Sequence, residues 1–376
     1  NLVGMDCSLH PLQFVHEGFV HMETAGGIQK YQIVAVIPGV AEGGSGYTGE
    51  RGKGRHQMMI FDGHSDLLFD VTRRRLAGED HVLERRHLEK LRAGHIGGLG
   101  LSVWVTAEPD SFWAAHPDWD GWRRTEEMMA CAQAELAECP WLTPVRTAAE
   151  ARAIQAAGGT FAFLVIEGME PVGNRLERLE QYARWGARIG MLTWNEENLL
   201  AAGAGADPDK GLTALGREAV RRMQRLHIIP DVSHTSDGTF RDIIRLAEGP
   251  VIASHSNCRA LCDVRRNLTD DQLRAIRDTG GVVGVNVYHG FVHEDPRRQT
   301  AALLARHAAH MAEVMGPEHV ACGFDFCQYF GPGNEGCEGM EDCGQTRNFF
   351  FELERVGFSA AERRAIAGEN LLRVLG

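Results

Sequence analysis

The sequence predicts an α/β protein, a (β/α)8 TIM barrel preceded by an N-terminal extension, and three observations carry that prediction. From Met59 onward, eight short apolar runs alternate with stretches of helical pattern, and eight parallel strands is the number that closes a barrel. The first run is followed by no Gly-rich dinucleotide fingerprint, and the chain contains no P-loop, so the usual marks of the competing open sheet are missing. Five of the runs end in histidine or carboxylate, and the C-terminal ends of barrel strands form the rim on which such enzymes carry their chemistry.

The elements follow in order. Residues 1–57 read as a separate, peripheral extension. They hold the pairs Gly26-Gly27 and Gly43-Gly44, a loop-like stretch over 43–54 and one candidate strand at 31–37. Met58-Met59 stand directly before the first barrel-like strand, where a chain would naturally start, so the second unit is 58–376. Its expected strands are 59–61, 96–105, 161–166, 189–193, 228–232, 251–253, 282–287 and 320–322. Helical patterns rich in Ala, Leu, Glu and Arg lie at 83–93, 125–138, 176–185, 215–226, 237–247, 269–278 and 300–315. A last helix starts at Ser359, an N-cap with Glu362 at the capping-box position.

Composition narrows the function classes. Hydrophobic residues make up 44% and charged residues 24% of the 376, an ordinary globular balance that supports a sizeable core. The net charge of −12 argues against a nucleic-acid partner, which requires a basic face. No apolar run approaches the roughly 20 residues that span a bilayer. The first 17 residues lack the basic and apolar segments of an export signal. The nine cysteines are an odd number without small-scaffold spacing, which points to reduced thiols and a cytoplasmic location. Cys322, Cys327, Cys337 and Cys343 cluster near the end without a Cys-x-x-Cys pair. They read as non-ligating thiols, with Cys322 in the core and 330–339 as a long loop over the rim.

The polar residues at the run ends are His64 and Asp66 after the first, Glu167 after the third, His234 after the fifth, His255 after the sixth and Asp325 after the eighth. Taken singly, each also reads as a hydrogen-bonded structural residue or a cap. Together, at five strand ends, they read as a metal site. Imidazole with carboxylate suits zinc, and six donors exceed what one tetrahedral ion takes. Two ions sharing a carboxylate would use the set. His10, His16, His56, His81, His87, His116 and His307 lack this placement and read as surface residues.

These residues carry a family resemblance. Asp62-Gly63-His64-Ser65-Asp66 is similar to the opening motif of the membrane (renal) dipeptidase family, peptidase family M19. Ile166-Glu167-Gly168, Leu192-Thr193-Trp194-Asn195, Gly211-Leu212-Thr213, Asp231-Val232-Ser233-His234, Ser254-His255-Ser256, Arg265-Arg266-Asn267, Gly323-Phe324-Asp325-Phe326 and Asn370-Leu371-Leu372-Arg373-Val374 follow in the family's order. The resemblance covers about 59–376 and not the extension. It implies a dipeptidase acting on small dipeptides, L-D as well as L-L, through a hydroxide bridging two Zn2+ ions. His64 and Asp66 would hold one ion, His234 and His255 the other, and Glu167 would bridge them. Asp325 would transfer protons beside the bridging water, and Arg266 would hold the substrate's terminal carboxylate. It also implies a homodimer, since family members often pair. Many animal members carry His where this chain has Trp194, as in bacterial members with Leu-Thr-Trp-Asn. Trp194 is then either a wall of the substrate pocket or a core aromatic, with Asn195 beside it as a further substrate-binding candidate. The alternatives are another binuclear amidohydrolase, such as an N-acyl amino acid deacetylase or a lactonase, and a non-catalytic metal-binding scaffold. The former group commonly opens with His-x-His and bridges its metals with a carboxylated lysine, where this chain has His64-Ser65-Asp66 and Glu167.

Overall fold

The computed structural model describes residues 58–105 and 112–376. The expected strand at 31–37, the rest of residues 1–57 and the histidines at 10, 16 and 56 lie outside the described residues. Residues 58–376 form one compact unit.

Among the described residues there are eight strands: β1 (Ile60–Ser65), β2 (Ile96–Trp104), β3 (Leu142–Pro144), β4 (Thr160–Glu167), β5 (Ala187–Met191), β6 (Ile229–Asp231), β7 (Val283–Val285) and β8 (Val320–Cys322). The helices are α1 (Leu67–Leu76), α2 (Leu88–Ala93), α3 (Gly121–Glu138), α4 (Ala148–Ala156), α5 (Arg178–Trp185), α6 (Ala214–Arg225), α7 (Asp237–Leu246), α8 (Asp270–Asp278), α9 (His289–Val292), α10 (Ala301–Met315), α11 (Thr346–Arg355), α12 (Ala360–Arg364) and α13 (Asn370–Leu375).

The closed (β/α)8 TIM barrel that the sequence predicts is not formed. Strands β1, β2, β4, β5 and β6 make one parallel sheet in that order, with β3 paired beside the first half of β4, and β7 and β8 make a separate two-stranded sheet. The larger sheet curls into an open half-barrel whose edges stand 11 Å apart. Two breaks account for the difference. Residues 251–253, the expected sixth strand, make only isolated bridges, Asp231 with Ile252 and Ala253 with Val283. At the other edge no ladder joins β8 to β1 among the described residues.

At both breaks, side-chain carboxylates take backbone donors that a ladder would use. Asp62 Oδ1 accepts the Phe324 N–H at 2.7 Å, and Asp231 Oδ1 accepts those of Ser233 and Ser254 at 2.9 and 3.1 Å. A donor satisfied by a buried carboxylate is no longer free for a strand neighbour. The backbones still come close here. A Cβ on Gly323 would lie 1.6 Å from the Ser254 carbonyl oxygen, so only glycine permits the approach.

The core has two layers because strand side chains alternate. In β4, Phe161, Phe163 and Val165 face the inside of the curl, where Phe61, Ile189, Met191, Ile252 and Ala321 join them and α13 closes the base with Leu371, Leu372 and Leu375. Ala162 and Ile166 face the helical layer. Glu167 has the same parity as the inward row, so the strand that builds the core ends by aiming a carboxylate into the curl.

Four helices and one strand escape the sequence reading, and the four-residue α9 is too short to carry a periodic signal. Helix α4 carries a full capping box, Thr147 with Glu150, a signal present in the sequence. Helix α11 follows a similar box, Asp342 with Gln345. Strand β3 has three residues and ends in proline, so it gives almost no periodic signal. Helix α1 starts directly behind Asp66, where the metal motif hides it. Two histidines read as surface residues are buried instead. His87 Nε2 lies 2.9 Å from Asp70, and fully buried His307 accepts the Cys258 N–H at Nδ1 and donates to Val292 O from Nε2. Both satisfy internal polar groups, which a lone histidine in a helical pattern does not announce. Cys322 is buried in β8, as expected.

Candidate metal centre

The C-terminal ends of the strands converge inside the curl. The β1–β2 register shifts between Asp62 and Ser65, and such irregularities re-aim side chains at a rim. Here His64 turns toward Glu167, with Nε2 3.0 Å from Oε2. Asp66 Oδ1 lies 3.8 Å from the same nitrogen. His234, in the loop after β6, places Nε2 3.1 Å from Glu167 Oε1 and 2.9 Å from His255 Nε2. The rings of His64 and His255 stack at 3.9 Å. Glu167 thus touches a different histidine with each oxygen. His64 and His255 are fully buried, and Glu167, Asp66 and His234 are 3%, 6% and 7% exposed. Ligand atoms of His64, Glu167 and His255, and those of His64, Asp66 and Asp325, lie within 4.8 Å of one another.

The electrostatics call for cations. Burial raises the pKa of Asp66, and the Glu167 charge raises it further; burial also raises that of Asp325. Burial opposes the charged form of His64, yet Glu167 overrides it and pushes the imidazole up to about 10. Glu167 is held well below the usual carboxylate range, His64 and His234 outweighing its own burial. Burial, reinforced by the Arg266 charge, takes His234 down to about 3, and burial beside His64 keeps His255 well below normal. The last two are therefore neutral imidazoles, the form that ligates metal. Asp66 Oδ1 and His64 Nδ1 have no hydrogen-bond partner. Three imidazoles and three crowded carboxylates, with two nitrogens aimed at one another, fit divalent cations.

A second layer holds these groups. His234 Nδ1 donates to Asn195 Oδ1 at 2.9 Å, which frees Nε2 for a ligand. His255 Nδ1 pairs with the Ser254 hydroxyl at 2.8 Å. Ser102, on β2, donates to Glu167 Oε2 at 3.0 Å. Asn286 Nδ2 donates to Asp325 Oδ2 at 3.0 Å, and the Cys327 thiol reaches Oδ1 at 3.5 Å. His234 and Asp325 both sit in the left-handed region, with φ of 67° and 60°. Non-glycine residues rarely adopt it, and such conformations gather at functional sites.

The structure therefore brings together all six residues chosen as donors. Asn195, read as a substrate-binding candidate, meets His234 Nδ1 through its Oδ1. Arg266 is 9% exposed, its guanidinium 5.1 Å from the centre of the Phe291 ring, with Nε, Nη1 and Nη2 lacking any hydrogen-bond partner among the described residues. Trp194 is half-buried, its ring 5.3 Å from Trp104 and 6.0 Å from His234. Ser102 and Asn286 went unnoticed in the sequence, because neither is a ligand type at a run end, and Cys327 was read only as a non-ligating thiol. Only their contacts reveal them.

Comparison with known proteins agrees with this geometry. The family model for membrane dipeptidase, peptidase family M19, matches residues 55–376. An uncharacterised dipeptidase of Schizosaccharomyces pombe is 29% identical over 348 residues, covering 84% of this chain and 80% of that protein. A Rhodobacter sphaeroides metallopeptidase, solved with a phosphinate mimic of the dipeptide L-Ala-D-Ala, is 27% identical with a TM-score of 0.75, covering 85% of this chain and 98% of the other. A metallopeptidase of family M19 described as dipeptidase AC is 26% identical with a TM-score of 0.74, at the same coverage.

Proposed function

The chain belongs to the membrane dipeptidase family, peptidase family M19, and is a metal-dependent dipeptidase; from that premise we propose that it holds two zinc ions and cleaves L-L and L-D dipeptides. The observation that carries the proposal is Glu167, buried and in contact with His64 through one oxygen and with His234 through the other. His64 and Asp66 would hold one ion, and His234 and His255 the second, with Glu167 between them. Bound there, the ions supply Lewis acidity, polarising a carbonyl and acidifying a water near neutral pH.

The chain's own groups do the rest. Asn195 and Ser254 orient the two ligand imidazoles, a support that ligating histidines generally need. Asn286 occupies Oδ2 of Asp325, while Oδ1 meets only the weak Cys327 thiol donor and is the oxygen that would accept the water's proton and pass it to the leaving amine. Arg266 binds the free carboxylate of the dipeptide. Its unpartnered nitrogens, buried beside the donor cluster, form a fork suited to a bidentate carboxylate. A longer peptide would leave that fork unfilled, which restricts cleavage to short substrates. The L-Ala-D-Ala mimic bound by the Rhodobacter protein supports extension to L-D substrates.

Among the described residues no helix is long and apolar enough to cross a membrane. A homodimer and a cytoplasmic location belong to the same proposal; sedimentation tests the first and cell fractionation the second. Metal analysis of the purified protein, with a library of L-L and L-D dipeptides, N-acyl amino acids and lactones, tests the function. Two zinc per chain and chelator-sensitive release of amino acids from dipeptides are expected. Turnover confined to acyl amino acids or lactones would overturn the proposal.

A further inference from the structure

Four aromatic side chains form a continuous sheet of rings on one side of the donor cluster. Phe69 of α1 contacts Trp104, at the end of β2, at 5.0 Å and Phe330, after β8, at 5.1 Å. Trp104 contacts Phe330 at 6.2 Å and Trp194, after β5, at 5.3 Å. Trp194 in turn stands 6.0 Å from the His234 ring. Trp104, Trp194 and Phe330 are each partly exposed, so the sheet is a surface and not a sealed core. Trp104 pairs in register with Glu167, which sets its ring beside the carboxylate that joins the two halves of the cluster.

Arg266 enters from a loop that is not next to the end of β2. Along the strand path β1, β2, β4, β5, β6, residues 251–253, β7 and β8, joined at residues 251–253 only by isolated bridges, the end of β2 and the loop after residues 251–253 stand four places apart. The first carries Trp104 and the second Arg266. One residue of extended chain spans about 3.5 Å, and Arg266 is close enough to the donors for its charge to act on His234 and for those of Asp325 and Glu167 to act on it, so a dipeptide anchored there by its carboxylate would bring its peptide bond to the donors. Its N-terminal residue then points at the rings.

We propose that these rings are the pocket for the N-terminal side chain, and that they make the enzyme selective for dipeptides beginning with an apolar or aromatic residue. The inference rests on the dipeptidase reading. Leu or Phe removes apolar surface from water against the rings, whereas Asp would lose its hydration there without a partner.

The test uses zinc-loaded enzyme with two series, X-Ala and Gly-X, where X is Gly, Ala, Leu, Phe, Asp or Lys. In the first, kcat/KM for Leu and Phe is expected to exceed that for Gly by about 10-fold or more, since an apolar pocket discriminates at about that level per group. In the second, the spread should stay within roughly threefold, a C-terminal side chain not meeting the rings. Trp104→Ala and Trp194→Ala should each lower the Leu-Ala to Gly-Ala ratio by about 10-fold, while Trp194→Phe keeps it. Thermal unfolding identifies variants that fail to fold, and for those Trp194→His, which keeps a ring and adds polarity, should lower the ratio instead. Hydrolysis of dipeptides without discrimination at X-Ala, a preference for Lys-Ala, or folded tryptophan variants with an unchanged ratio would overturn the pocket while leaving the dipeptidase reading intact. Bound zinc with no dipeptide cleaved would overturn both.

Discussion

Replacing Arg266 by methionine should move activity and stability in opposite directions. The guanidinium is buried, has no hydrogen-bond partner among the described residues and is supported by the Phe291 ring and by the charges of Asp325, Glu167 and Asp231. Burial lowers its pKa to about 10, so it stays charged at neutral pH. A cation–π contact contributes about 0.5–2 kcal/mol, while desolvating an ion costs several kcal/mol. Metal ions in the donor cluster would add repulsion. Methionine has similar reach and no charge, so Tm is expected to hold or rise by about 2–4 °C for each kcal/mol relieved. With a dipeptide bound, the fork gains two charge-assisted hydrogen bonds of about 1.5–3 kcal/mol each, so kcat/KM should fall by roughly 10²- to 10⁴-fold. The assay pairs a dipeptide with its C-terminal amide. Wild-type enzyme should lose a comparable factor on the amide, and Arg266→Met should barely distinguish the two. Undiminished dipeptide turnover in the variant, or equal use of the amide by wild type, would refute the carboxylate clamp.

Three further outcomes are expected. Asp325→Asn should keep its hydrogen bond to Asn286 and its metal content, measured by elemental analysis, while kcat drops by about 10²- to 10⁴-fold; coincident loss of metal would make Asp325 a ligand and not a proton carrier. Asn195→Ala removes the acceptor that orients His234, so competition with a chelator should show zinc affinity down by about 10- to 100-fold; unchanged affinity would make Asn195 a bystander. Burial takes His307 down from 6.5 to about 4, so the unfolded chain binds the extra proton between those values. The stability this residue contributes is therefore complete above pH 6.5 and is lost as pH falls toward 4, about 3 kcal/mol in all. The difference between denaturation profiles of wild type and His307→Gln should carry that slope; parallel profiles over the window would count against it.

The donor set was legible because metal chemistry admits few residue types and barrel-like folds display them at one place, the C-terminal end of an apolar run. His64, Glu167, His234 and His255 could be chosen without coordinates on that rule alone. The supporting groups were not. Asn195 meets His234 across 39 positions, and Asn286 meets Asp325 across the same number. Asn195 stood out in the sequence only as a substrate-binding candidate beside Trp194, and Asn286 has no type or spacing that separates it from a surface residue. His307 was misread for a related reason: its donors and acceptors come from Cys258 and Val292, which the helical pattern around it does not mention.

The alternation of apolar runs and helices was sufficient to determine a parallel α/β core, though not the closed barrel it suggested, and the residue types at the run ends marked the imidazoles and carboxylates gathered at one end, since strand parity and residue chemistry are local properties. Closure of the sheet was decided only in three dimensions. It depends on which acceptor each backbone N–H finds, and at both seams Asp62 and Asp231 compete with the neighbouring strand. Whether Arg266 meets a partner, and whether Trp194 faces the donors or the core, are likewise outcomes of packing between segments far apart in the chain.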